Sequence, residues 1–365
     1  MSSRGGWSRW DVVDGGRTGG VVVVRALHLG DMLCAVPALR TLRAGFPDAH
    51  ITLIGLGWAA ELMPWLDPFV DALEVFPGFP GIPECPFDAA DVTAFLSRMQ
   101  ARRFDLAVQL HGSGSHINEF TLLLGARRTA LYRKGDDAAP ADHAGIAVPW
   151  PTWGSEIERL MALPLALGCP DAGRELSLAT NASDREALGE VAEAASLSER
   201  GYACVHAGAR FPSRRWAPER FAALADALAD RGLTIVLTGT RAEAPITAAV
   251  RDAMHAAPID LTGRLGLGAL GALVSDAALV ACNDTGMSHV AVAFGTPSIV
   301  VSSGSDVSRW APLDRVRHRV LWHDVACRPC MHVTCPTRHE CAAGVGVADA
   351  IAQADRLLEQ CHEAR

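Results

Sequence analysis

A polar turn at residues 283–289 carries the densest group of chemically capable side chains in this sequence. It follows a buried apolar run and precedes a short apolar helical stretch, so it is predicted to connect a strand to a helix. In a parallel α/β sheet, ligands bind at the carboxyl ends of strands, and a helix N-terminus attracts anions. The turn is therefore predicted to hold a diphosphate, although His289 taken alone also fits an ordinary helix histidine.

Two other predicted strand ends pair a glycine with a charged residue. Gly208 precedes Arg214, and Gly239 precedes Glu243. Because the carboxyl ends of parallel strands lie along one edge of a sheet, we expect these residues to converge with the turn on a nucleotide diphosphate. Arginine can neutralise the charge of a departing diphosphate, and glutamate accepts hydrogen bonds from ribose hydroxyls. The alternatives are a solvated Arg214 and a Glu243 that only begins a helix.

Asp31 is the strongest candidate for proton transfer. It follows Gly30 in the turn after the first predicted strand, at or near the start of a helix. There it can act as a general base that takes a proton from an attacking hydroxyl, or it can simply cap the helix. The turn at residues 111–115 is a second feature of this half of the chain. Its His111 and Ser113 either face an acceptor substrate or only form the turn.

Two α/β lobes are needed to position these residues. Predicted strands and helices alternate along both halves of the chain, which indicates parallel sheets with right-handed crossovers. A Pro- and Gly-containing segment at 136–155 is expected to be an irregular excursion. The predicted organisation is a disordered tail at 1–19, a first domain at 20–180, a second domain at 181–346 and a terminal helix at 347–365.

The composition is that of an ordinary α/β protein, with 49% apolar and 20% charged residues. A net charge of −8 argues against a nucleic-acid partner. No apolar run approaches the roughly 20 residues that span a bilayer. The start of the chain lacks the apolar centre of a secretion signal, so we expect a cytoplasmic protein.

Four of the ten cysteines form a compact cluster near the end of the chain. Thiolates at this spacing predict a structural zinc or iron site, with His332 and His339 as spare ligands. The alternatives are free thiols and disulfides, and disulfides are less common in the cytoplasm. The predicted ligands are Cys327, Cys330, Cys335 and Cys341.

Over roughly residues 20–345, the sequence resembles the ADP-heptose:lipopolysaccharide heptosyltransferases, which form glycosyltransferase family 9. The resemblance implies a GT-B fold, in which two Rossmann-like domains present parallel sheets across a cleft, with the terminal helix packed back on the first domain. It rests on six motifs whose order and spacing match as a set: residues 24–39, 214–221, 260–264, 283–289, 294–297 and 327–330, the last being Cys-Arg-Pro-Cys.

The resemblance also implies site roles and a mechanism. Asp31 is the implied base, Arg214 the donor-phosphate ligand where the family usually has lysine, Glu243 the ribose ligand, and Leu265 part of the adenine pocket. The implied reaction inverts the anomeric centre and needs no metal for its chemistry. The donor is a nucleotide-diphospho-sugar, most simply ADP-heptose, and the acceptor is a lipopolysaccharide core or related glycan. The implied diphosphate ligands are Asp284, Thr285, Gly286, Ser288 and His289.

Other functions are weighed against this one. A non-catalytic nucleotide-sugar-binding protein and another sugar-nucleotide enzyme, such as an epimerase, are the alternatives. The absence of G-x-G-x-x-G after the first strand disfavours a dehydrogenase, and the absence of a P-loop motif disfavours a kinase. Basic residues of the first lobe either contact the inner membrane peripherally or form a solvated face. They are Arg98, Arg102, Arg103, Arg127, Arg128, Arg133 and Lys134.

Overall fold

The computed structural model describes residues 19–135 and 144–363. The chain divides into two compact units, Met1–Glu175 and Leu176–Arg365. Each unit is built on one six-stranded sheet in which every strand pair is parallel. The predicted α/β class with two Rossmann-like domains is therefore confirmed. The predicted N-terminal tail lies outside the described residues, apart from Gly19.

The sheet of the first unit has the strand order β3-β2-β1-β4-β5-β6. Its strands are β1 Gly20–Val24, β2 His50–Gly55, β3 Ala72–Val75, β4 Leu106–Gln109, β5 Arg128–Arg133 and β6 Gly145–Pro149. Its helices are α1 Leu29–Cys34, α2 Val36–Gly45, α3 Met63–Leu66, α4 Ala89–Ala101, α5 His116–Leu123 and α6 Glu156–Ala166, with a 3-10 helix at Gly57–Glu61.

The central strand β1 forms because four consecutive valines suit a strand covered on both faces. All four are fully buried, and Val22 pairs with Thr52 of β2 on one side and Ala107 of β4 on the other. A cluster of Phe76, Phe95 and Phe120 fills one layer of this core.

The expected irregular excursion at 136–155 is wrong for its central part, because β6 lies there. This strand is at the edge of the sheet, paired only with β5. An edge strand tolerates proline, so Pro149 does not prevent the strand from forming. It does make the sequence look like a loop. Residues 136–143 fall outside the described ranges.

The second unit repeats the topology of the first, with the order β12-β11-β10-β7-β8-β9. Its strands are β7 Tyr202–His206, β8 Thr234–Leu237, β9 Ile259–Asp260, β10 Leu279–Asn283, β11 Ser298–Ser302 and β12 His318–Trp322. Its α-helices are α7 Ala182–Gly189, α8 Pro218–Ala229, α9 Ala244–Ala253, α10 Leu267–Asp276, α11 Gly286–Ala293, α12 Val307–Trp310, α13 Glu340–Ala343 and α14 Val347–Glu363. Its 3-10 helices are Ala192–Ser196, Pro212–Arg214 and Arg241–Glu243.

The terminal helix α14 is part of the core of the second unit. Its Ala350, Ala354 and Leu357 are buried in the apolar cluster that contains Phe221 of α8. The packing of this helix on the first domain stays a prediction. Among the described residues, no helix is both long and apolar enough to cross a bilayer.

Candidate active site

Each sheet has a switch point, where the connections from two neighbouring central strands run in opposite directions. These points lie between β1 and β4 in the first unit and between β7 and β10 in the second. Ligands bind outside the carboxyl ends of the strands at such points in open α/β sheets. Most of the predicted site residues follow one of these four strands directly.

Asp31 lies in the first turn of α1, after β1. The N-cap of this helix is His28, in extended backbone conformation, so the interpretation of Asp31 as the cap is wrong. Within residues 19–135 and 144–363, the Asp31 carboxylate makes no hydrogen bond or ion pair. A half-buried carboxylate without a structural partner is available to accept a proton from a substrate.

The buried Arg25 fastens the backbone of Asp31, which the sequence does not reveal. Its Nε donates to the Asp31 carbonyl at 2.8 Å, and its Nη2 donates to the same oxygen. Its Nη1 donates to the Leu110 carbonyl at the end of β4. The Glu156 carboxylate of α6 lies 3.7 Å from Nη2, and both side chains are almost fully buried. The turn that carries Asp31 is thus tied to two other elements.

His111 has a defined orientation after β4. Its Nδ1 accepts from the Ala26 amide at 3.2 Å, which leaves the ring proton on Nε2. Glu84 Oε2 lies 3.8 Å from Nε2, and the imidazole is the main reason why the pKa of Glu84 is below its usual value. The oriented imidazole therefore lies next to a carboxylate. Ser113 is half-buried in the same turn.

In the second unit, Asn283 ties the predicted phosphate turn to the segment after β7. It is fully buried at the end of β10. Its Oδ1 accepts from the Trp216 amide and its Nδ2 donates to the Ala207 carbonyl, each at 2.8 Å. Gly208 and the turn after β10 are consequently held side by side.

The turn after β10 leads directly into α11, as predicted. Thr285 is the N-cap and Gly286 the first residue of this helix, and the Thr285 side chain makes no capping bond. The first amides of α11 are therefore left without a side-chain acceptor, as an anion site requires. Asp284 accepts from the hydroxyl of Ser305, in the loop after β11.

Ser288 and His289 lie on the buried side of this turn, and their role as diphosphate ligands stays a prediction. Ser288 is fully buried, and its hydroxyl donates to the Thr285 carbonyl at 2.7 Å, so it supports the turn from within the helix. His289 is also buried, with its ring 6.5 Å from that of Trp310. The Ser288 side chain thus supports the turn that Asp284 and Thr285 form.

Glu243 lies against Gly208. One of its oxygens, Oε2, accepts from the Thr240 amide and hydroxyl at 2.8 and 2.9 Å, so Glu243 does cap a helix. The other oxygen faces Gly208, where an added Cβ would lie 2.2 Å from Oε1. His206, whose pKa burial lowers against the opposing effect of Glu243, lies 3.9 Å from Oε2. Capping thus leaves one carboxylate oxygen on the Gly208 side.

Arg214 ends the 3-10 helix at Pro212–Arg214. Its Nη2 donates to the Cys330 carbonyl, whereas its buried Nη1 makes no hydrogen bond within the described residues. A Cβ at Gly304 would lie 3.2 Å from that Nη1. Because Ser305 binds Asp284, the loop after β11 connects Arg214 to the phosphate turn. Leu265 lies apart, half-buried in the loop between β9 and α10.

The four clustered cysteines line one cavity of about 60 Å³, together with Ser213 and both nearby histidines. The donor set suits zinc or iron. In the described ranges, no three His, Cys, Asp or Glu side chains are yet close enough to form a complete metal site. The structure describes the side chains of nine cysteines, all of them free thiols, and Cys34, Cys204 and Cys282 are buried. The cavity is therefore lined by side chains that suit a metal ion, but they lie too far apart to bind one as they stand.

Three of the seven basic residues named above for the first unit are ion-paired. Arg98 and Arg102 both pair with Glu74, at 3.4 and 3.0 Å. Arg127 lies 3.4 Å from Asp105. This pairing favours the interpretation of these residues as a solvated face.

Comparison with known proteins supplies a family for this architecture. The family model described as glycosyltransferase family 9 (heptosyltransferase) matches residues 92–340. Lipopolysaccharide heptosyltransferase 2 of Salmonella typhimurium is 25% identical over 308 residues, which cover 80% of this chain and 85% of that protein.

Solved structures agree in fold. A family 9 glycosyl transferase from Veillonella parvula superposes with a TM-score of 0.80 at 21% identity, covering 94% of this chain and 98% of the other. The E. coli ADP-heptose lipopolysaccharide heptosyltransferase II gives a TM-score of 0.75 at 19% identity, covering 94% and 99%. This chain shares their fold, which is the GT-B fold that the resemblance implies.

Proposed function

Because the chain belongs to glycosyltransferase family 9, we propose that it transfers heptose from ADP-heptose to a lipopolysaccharide core or a related glycan. Relatives that span most of its length are lipopolysaccharide heptosyltransferases. The observation that carries the proposal is the Glu243 carboxylate against Gly208, beside a turn that presents uncapped helix amides. Such a pair of features suits a ribose next to a diphosphate.

In the proposed reaction, Asp31 accepts the proton of an acceptor hydroxyl. The hydroxyl oxygen attacks the anomeric carbon, and the bond from that carbon to the diphosphate breaks with inversion. The electron pair leaves on a phosphate oxygen, whose charge is stabilised by the amides at the start of α11 and by Arg214. No step in this chemistry calls on a metal.

The test replaces Asp31 with asparagine, which keeps the shape but cannot take the proton. Turnover of ADP-heptose with a lipopolysaccharide acceptor should fall by about 10²–10⁴-fold, the usual contribution of a general base. The dissociation constant of ADP, measured by calorimetry, should stay unchanged, because the donor ligands lie in the second unit. The matched control is Asp67→Asn, an exposed carboxylate of the same unit.

Three results would separate the alternatives. Full turnover in Asp31→Asn would remove Asp31 as the base. Wild-type protein that binds ADP-heptose but turns over no acceptor would indicate a binding protein. Binding of a panel of nucleotide sugars can be measured by the thermal stabilisation that each one causes. If none of them binds, the assignment of a nucleotide-sugar donor is wrong.

We also propose that the protein works at the cytoplasmic face of the inner membrane, where a glycolipid acceptor would be reached peripherally. Sedimentation with anionic lipid vesicles tests this. Binding that depends more on the acceptor lipid than on vesicle charge is expected because Arg98, Arg102 and Arg127 are already ion-paired.

A structural metal is proposed for the cysteine cavity. Cys327, Cys330, Cys335 and Cys341 would hold one zinc or iron ion after a small closure of the loop. Elemental analysis of protein purified without added metal should find about one ion per chain. Loss of that ion in Cys330→Ser, but not in Cys85→Ser outside the cluster, would assign the ion to the four clustered cysteines. A metal-free protein with four freely titrating thiols would contradict the proposal.

A further inference from the structure

The segment that follows β12 forms hydrogen bonds with all the polar atoms of Ser213, the residue before Arg214. We define residues 327–341 as the cysteine-rich segment. Ser213, which is almost fully buried, donates its amide to the Val333 carbonyl at 3.1 Å and its hydroxyl to the His332 carbonyl at 2.5 Å. The Ser213 carbonyl lies 2.9 Å from His339 Nε2. Every polar atom of Ser213 is therefore bonded to this segment.

The next residue in the chain is Arg214, the candidate phosphate ligand, and the same segment binds its side chain. Arg214 Nη2 donates to the Cys330 carbonyl. The Cys330 amide in turn donates to the Gly304 carbonyl at 2.7 Å, in the loop whose Ser305 binds Asp284. The position of Cys330 therefore affects both Arg214 Nη2, which it binds, and Gly304, which lies next to Arg214 Nη1.

The cysteine-rich segment is also anchored by Arg328, whose guanidinium donates to Ser302, Ser305 and His323. It has no regular structure before α13, and Met331 and Val333 are 88% and 56% exposed. Apolar burial is confined to residues such as Cys330 and Cys341, and ordering each residue costs about 1–2 kcal/mol of conformational entropy. Polar contacts to Ser213, Arg214 and Gly304, together with those of Arg328, therefore do most to define its conformation.

We infer that the cysteine-rich segment is a clamp that orients Arg214 for the donor diphosphate, with Ser213 and His339 as its positioning residues. An arginine side chain is flexible, so a prearranged guanidinium binds phosphate more tightly than a mobile one. The inference rests on the proposed function, in which Arg214 binds the donor. It assigns to the cluster a part in binding the donor diphosphate through Arg214.

The first test is Ser213→Ala, which removes the hydroxyl bond to His332 and keeps both backbone bonds. The dissociation constant of ADP should rise about 5–10-fold, the effect of one lost hydrogen bond. The kcat at saturating donor should fall by no more than the same factor, because Arg214 also stabilises the charge of the leaving diphosphate. Met331→Ala, which truncates an exposed side chain of the same segment, is the control and should match wild type.

A double variant distinguishes positioning from a general loss of structure. If Ser213 acts through Arg214, then Ser213→Ala should add almost nothing to the weakening of ADP binding in Arg214→Ala. His339→Gln keeps a side-chain donor and should bind ADP more tightly than His339→Ala. Circular dichroism and thermal midpoints identify variants that fail to fold, and the His339 pair then carries the test.

The outcomes separate the two proposals. Wild-type protein that does not bind ADP would contradict the proposed function itself. Wild-type protein that binds ADP, with Ser213→Ala and His339→Ala binding equally well, would overturn the clamp. Equal weakening by Ser213→Ala in the wild-type and Arg214→Ala backgrounds would also overturn it.

Discussion

Replacing Gly208 with alanine should displace the Glu243 carboxylate. The added Cβ would lie 2.2 Å from Glu243 Oε1 and 2.3 Å from its Cδ, far inside the contact distance of about 3.4 Å. The carboxylate must therefore shift, which breaks the bonds from Oε2 to the Thr240 amide and hydroxyl. Gly208 has no unusual backbone conformation, so the methyl group alone causes the effect.

The magnitude follows from these contacts. A hydrogen bond to a charged group contributes about 1.5–3 kcal/mol, so loss of the ribose contact should weaken ADP binding by about 10–100-fold. Loss of the capping contacts should lower the free energy of unfolding by about 1–2 kcal/mol. Calorimetric titration with ADP and urea denaturation measure the two effects. The control is Gly189→Ala, where an added methyl group meets nothing within 4 Å.

A double-variant cycle tests whether Gly208→Ala acts through Glu243. In the Glu243→Ala background the clash is gone, so Gly208→Ala should there have almost no effect on ADP binding. Equal weakening of ADP binding by Gly208→Ala in both backgrounds would show that the methyl group does not act through Glu243. Wild-type affinity of the single variant for ADP would show that the position of Glu243 does not matter for binding.

Two further predictions concern stability. Glu156→Ala leaves the charge of Arg25 buried without its carboxylate and should lower the free energy of unfolding by about 3–5 kcal/mol in urea denaturation, whereas a loss below about 1 kcal/mol would contradict a buried pair. Burial lowers the pKa of His318 from 6.5 to about 4, so the unfolded chain takes up the proton first, and stability should fall as the pH drops from about 6.5 toward 4, by up to roughly 3 kcal/mol. Urea midpoints at pH 7.5 and 5 should differ less in His318→Gln, which can keep the bond to Ser298, and an equal drop in both proteins would exclude His318 as the cause.

The fold was predictable where the sequence has continuous apolar runs. The valines of β1 and the apolar residues of β10 indicate strands buried on both faces, and the structure confirms them. The sequence does not reveal β5 and β12 in the same way, because arginines lie within or at the ends of these strands. Long side chains can bury their stems and keep their charges at the surface, so strands of this kind lack a clear pattern.

The candidate site was predictable where a residue type is unusual for its position. Asp31 and Glu243 follow glycines at strand ends, which is a local signal. Arg25 gives no such signal, because its partner Glu156 is distant in the chain and a buried arginine looks like any other basic residue in sequence. Ser213 and Ser305 were missed for the same reason, since their roles depend on loops that meet only in the folded unit.

The position of α14 has a consequence for the order of folding during synthesis. The first sheet uses strands that end at residue 149, so all of its strands are available while the second unit is still being made. The second core includes Ala354 and Leu357, which are synthesised after every strand of both sheets. Because domains fold as units from the N-terminus onward, we expect the second unit to complete its core after the first. A nascent chain lacking these last turns would expose the apolar surface around Phe221 to chaperones.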